Sequence, residues 1–147
     1  MRAPATEALT ASVARSSRRV RELATPLGLA ASVAAASVAL HLRDPHEQGS
    51  WGFCPFLALT GHPCPGCGGL RAVNDLTRLD VVGAASSNLY FVASIPFLAF
   101  GWVLWVRKAW RGEPVAGPST RTVSIALVLL LLFWVARNTP WGAWLAP

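Results

Sequence analysis

Three runs with almost no charge decide what this chain can become. Thr25 to Leu42 and Asn88 to Val106 are close to the roughly 20 apolar residues that carry a helix across a bilayer core, and Thr122 to Ala136 is a third apolar run. The third is short and needs Arg137 to extend it, its long side chain reaching outward to water. Lipid offers nothing to hydrogen-bond a bare backbone, so such runs are expected as helices. Composition agrees: 53% of the 147 residues are hydrophobic, only 14% are charged, and seven are tryptophan. That is the profile of a membrane protein.

The basic residues sort around these runs. Arg2, Arg15, Arg18, Arg19 and Arg21 precede the first, and Arg107, Lys108, Arg111 and Arg121 lie between the second and third. Arg43, Arg71, Arg78 and Arg137 fall on the other side. Positive-inside sorting then puts the N-terminus in the cytoplasm, with residues 43–87 and the C-terminus outside, in an inner membrane crossed three times. The net charge of +6 is thereby explained as topology. No basic helix interleaved with aromatics and no helix-turn-helix or zinc-finger spacing occurs, which argues against a nucleic-acid partner.

Residues 1–24 are polar, rich in Ala, Ser, Thr and Arg, and read as a disordered basic tail. Residues 25–147 read as one membrane domain, with helices at about 25–42, 88–106 and 122–137 and a loop over 43–87. Gly28, Ser32 and Ala36 put small side chains on one face of the first helix, a surface for another helix. Arg18-Arg19 and Ser37-Val38-Ala39 offer a rival reading as a cleaved signal. Arg21 stands where a twin-arginine signal carries an apolar residue, so a retained span is the expectation. Pro96 is expected to kink the second helix, and Tyr90 and Trp102, Trp105 and Trp110 to mark its two interfaces.

All three cysteines lie between Cys54 and Arg71, a stretch broken by Pro55, Pro63 and Pro65 and by Gly61, Gly66, Gly68 and Gly69. It reads as a constrained loop. From Gly69, Leu70, Val73, Leu76 and Leu79 alternate with Arg71, Asn74, Asp75 and Arg78 at helical spacing, a short amphipathic helix. Asp80 then caps a second short segment, Val81 to Ser87.

Cys64-Pro-Gly-Cys67-Gly has the form of a zinc knuckle, in which two thiolates on a tight turn share one tetrahedral metal. Cys54 supplies a third sulfur, and His62, His46 or His41 is a candidate for the fourth position. The same Cys-x-x-Cys before a helix also suits thiol–disulfide chemistry, with Cys64 and Cys67 as the active pair, Cys54 resolving and Arg71 tuning them. A third reading is one disulfide, leaving an odd thiol that is reactive, metal-bound or paired with another chain. Asn88 and Arg137, polar groups at membrane boundaries, either pair across helices or face headgroups.

At Cys54-Pro55 and Gly61-His62-Pro63-Cys64-Pro65-Gly66-Cys67-Gly68-Gly69-Leu70-Arg71 the chain resembles an uncharacterised bacterial membrane family, domain of unknown function 2752. Asn88 and Arg137-Asn138 match further positions of that resemblance. It implies a bacterial membrane protein with this loop as its hallmark, and no reaction.

The sequence therefore predicts an all-α membrane protein: three transmembrane helices, a cysteine-rich extracytoplasmic loop and short interfacial helices. Its metal-site candidates are Cys54, Cys64, Cys67 and His62, with zinc as the matching ion. The leading function is a scaffold or accessory subunit with a metal- or disulfide-stapled loop, working as a homo-oligomer or with a membrane protein partner. The alternative is a membrane thiol oxidoreductase using Cys64, Cys67 and Arg71.

Overall fold

A computed structural model describes residues 3–47 and 49–145. In order come α1 (Ala3–Leu42), α2 (Pro55–Thr60), α3 (Gly69–Thr77), α4 (Val81–Arg111), α5 (Thr120–Arg137) and a 3-10 helix (Pro140–Leu145). No strand occurs among the described residues, and the fold is all-helical as expected. Three stretches are long and apolar enough to span a membrane: Arg19–Leu42, Val81–Arg111 and Thr120–Arg137. Much of the apolar surface of α4 is uncovered, with Phe97, Leu98, Phe100 and Trp110 exposed, and needs lipid or another protein to cover it.

The ends of these helices follow from local chemistry. Asp80 caps α4, its Oδ1 accepting from the Gly83 N–H at 2.8 Å, and Ser119 caps α5 by accepting from the Thr122 N–H at 3.2 Å. Helix α4 joins the expected short segment to the expected second span, with a break between them. Asn88 is extended (φ −159°, ψ 93°), and its Oδ1 accepts from the Phe91 N–H at 3.0 Å, restarting the helix as a new N-cap. Helix α1 starts at Ala3 and runs through most of the stretch read as a tail, while Met1 and Arg2 lie outside the described residues.

In α3 the sense of burial is inverted relative to a soluble amphipathic helix. Asn74 and Asp75 are buried, whereas Leu70 is exposed. At a membrane surface the outside can be apolar, and buried polar groups persist where partners satisfy them. Asn74 Nδ2 donates to the Leu40 carbonyl at 2.7 Å, in the last turn of α1, where carbonyls lack helical partners. Asp75 Oδ2 accepts from Ser87 Oγ at 2.9 Å.

The chain divides into two compact units. One comprises Met1–Val33 and Leu98–Gly117, in which Trp102 Nε1 donates to the Pro26 carbonyl at 3.0 Å. The other comprises Ala34–Phe97 and Pro118–Pro147 and contains the cysteine loop. Within it Tyr90 stacks on Phe133 at 5.9 Å and donates to the Ala126 carbonyl at 2.9 Å.

Candidate metal centre

The loop is assembled from three local decisions. Cys54 is the extended residue before α2, and Pro55 fits the first turn, where its missing N–H costs nothing. Gly61 ends α2 in the left-handed region. Cys64 to Cys67 then form a turn closed by the Cys67 N–H on the Cys64 carbonyl at 3.1 Å. Gly68 follows at φ 83°, a conformation that strains any side chain, and opens α3. Gly61 and Gly68 are thus required by backbone geometry before any chemistry is considered.

These turns bring three sulfurs together. The Sγ atoms of Cys54, Cys64 and Cys67 all lie within 4.8 Å of one another, and Cys64 and Cys67 approach to 3.2 Å. All three are free thiols and half-buried. Sulfurs so placed are close to what a single ion about 2.3 Å from each would need. Burial pushes the Cys67 thiol up to about 12, with its bonds to the Cys64 and Cys54 thiols adding to the effect. Cys54 moves the other way, chiefly because the Leu57 N–H at the start of α2 stabilises its thiolate.

The loop carbonyls are held by side chains distant in sequence. Arg137 Nη1 donates to the carbonyls of Cys64 and Cys67, both at 3.1 Å. Asn88 Nδ2 donates to those of Pro65 at 3.0 Å and Cys67 at 3.1 Å. The Pro63 carbonyl accepts from Trp134 Nε1 and Asn138 Nδ2, both at 3.2 Å. A proline-broken turn leaves carbonyls without ladder partners, and these four donors satisfy them. Asn88 and Arg137 are 1% and 2% exposed, so they face the protein interior. Arg137 also lies over the Phe133 ring at 5.0 Å, and Phe56 meets Trp134 edge-on at 5.9 Å.

Histidines stand apart from the sulfurs. His62 is exposed with Nδ1 2.8 Å from the Thr60 carbonyl, His41 Nδ1 lies 2.9 Å from Thr77 Oγ1, and none of the three joins the sulfur group among the described residues. His46 sits between carboxylates, Nδ1 2.8 Å from Asp44 and Nε2 3.4 Å from Asp75. Asp44 also meets Arg78 at 3.3 Å, and the His46 backbone N–H and ring hold its carboxyl below the usual carboxylate range. Arg71 donates through Nε to the Pro45 carbonyl at 3.4 Å.

Spacing along the chain found the cysteines, and position at the membrane boundaries singled out Asn88 and Arg137. It missed Trp134, whose only signal was an indole N–H at the outer end of the third apolar run. No curated protein and no solved structure matches this chain. Over residues 54–102, which take in all three cysteines, α2, α3 and α4 as far as Trp102, the chain matches the family model described as Protein of unknown function (DUF2752).

Proposed function

We propose that this chain is a small multi-pass membrane scaffold or accessory subunit whose cysteine loop is stapled by one metal ion held by Cys54, Cys64 and Cys67. The observation that carries this reading is the convergence of three sulfurs, not two, within 4.8 Å. A disulfide joins two sulfurs and leaves the third unbonded, whereas a thiophilic ion uses all three. Zinc suits a thiolate-rich, near-tetrahedral set, with water or another neutral donor completing it. A thiol-exchange centre is the weaker reading, because Arg71, the cation expected to tune such a pair, donates to the Pro45 carbonyl and not to a cysteine.

In this reading the loop and the C-terminus face outward and the N-terminus is cytoplasmic, following the basic residues. The stapled loop is a rigid recognition surface, and the uncovered apolar helices bind lipid, a second copy or a membrane protein partner. The test is protein purified in mild detergent without reductant, assayed for metal and for free thiols. About one ion per chain, lost when any of Cys54, Cys64 or Cys67 becomes Ser, is expected. A metal-free protein with a Cys64–Cys67 disulfide would overturn the proposal.

A further inference from the structure

Arg137 carries a charge that meets the face of the Phe133 ring, 5.0 Å away, and no carboxylate among the described residues. It is 2% exposed, Nη1 is occupied by two carbonyls, and Nε and Nη2 have no hydrogen-bond partner. Among the described residues no carboxylate forms an ion pair with it. A guanidinium does not lose its proton, so it cannot escape burial by neutralising. Buried cations persist where an anion answers them. The groups it already touches through their carbonyls are Cys64 and Cys67.

We propose that Arg137 is the counter-charge of a complex with net charge −1, made of three thiolates and one divalent ion. This rests on the metal reading above and extends it. Loading converts three thiols and M²⁺ into the M(S)₃ anion and releases three protons. The anion and Arg137 together are neutral, which is the cheapest state for a half-buried site. Three neutral thiols would leave Arg137 alone, and a fourth thiolate would leave a surplus negative charge. The fourth ligand must therefore be neutral, either water or an imidazole.

Charge and shape are separated by comparing two probes on the full-length protein. Cd²⁺ with three thiolates gives an anion. Arsenite, As(OH)₃, condenses with three thiols to give neutral As(S)₃ and three waters. Arg137→Gln keeps an amide donor for the loop carbonyls and removes the charge, while Arg137→Lys keeps the charge.

The expected result is that Arg137→Gln weakens Cd²⁺ binding about 10- to 100-fold, leaves arsenite binding unchanged, and that Arg137→Lys restores most of the Cd²⁺ affinity. Equal losses for both probes, or none for either, would overturn the charge role. Should the Gln variant fail to fold, Arg137→Met, which also removes the charge, is read with the same two probes, and native mass spectrometry of the wild type counts the protons released. One bound Cd²⁺ should displace three protons, and a count of two or four contradicts the assignment. A wild type that binds neither probe would remove the metal centre itself and this inference with it.

Discussion

The two units of this chain are held by different means. Around the cysteines, side chains some 20 to 75 positions away in sequence donate to the carbonyls of Pro63, Cys64, Pro65 and Cys67. In the unit made of Met1–Val33 and Leu98–Gly117, the features of the described residues include a Trp102 bond to the Pro26 carbonyl and an exposed Arg111–Glu113 pair at 3.8 Å. The first unit fixes an irregular backbone with polar groups, as a site requires. The second presents regular helix, which satisfies its own backbone and leaves apolar faces for lipid. Position in sequence does not explain the contrast, because α1 and α4 each contribute to both units.

The largest break in this contrast should come from the sulfurs. Chelation, or Cys64→Ser, should remove on the order of 10 kcal/mol of apparent stabilisation from the loop. Hydrogen exchange should accelerate at residues 54–71 and stay unchanged at residues 19–33. Next is Asn88→Ala, which deletes two donated bonds and the cap of the second half of α4, costing about 2–4 kcal/mol. Asn88→Asp keeps the cap on Phe91 and loses the donors, so it should leave the helicity measured by circular dichroism intact while loosening metal binding.

Gly142→Ala sharpens the same point. An added Cβ would collide with the Ala136 carbonyl and press on the Arg137 backbone, so about 1–3 kcal/mol of destabilisation is expected, read as a lowered Tm in detergent. In the other unit, Trp102→Phe should cost only about 1 kcal/mol and leave metal content at the wild-type level.

The smallest effect concerns acid. Asp44 has a lowered pKa in the folded state, so its contribution is present above the ordinary carboxylate pKa and is lost as pH falls through the folded value. Its exposure keeps the effect small, and Asp44→Asn should flatten the acid limb of a thermal-stability profile slightly.

Much of the fold was legible because membrane helices are written in local composition. The three spans, the cap at Asp80 and the fresh start at Asn88 each depend on a few adjacent residues. The helix through residues 3–24 was not legible, since that polar stretch lacks an apolar period to announce it. Nor was the inward-facing polar side of α3, because helical spacing shows two faces without saying which one meets lipid. At the site, Cys54, Cys64 and Cys67 could be grouped from their spacing. Their support by Trp134, Arg137 and Asn138 is a tertiary fact, with donors and acceptors about 70 positions apart.

The most direct test of a three-sulfur metal staple is X-ray absorption at the edge of whatever metal copurifies with the protein. The account predicts three sulfur neighbours at about 2.3 Å and one lighter neighbour if the ion is zinc. A shell with fewer than three sulfurs, or protein without metal and with Cys64 and Cys67 joined, would contradict it.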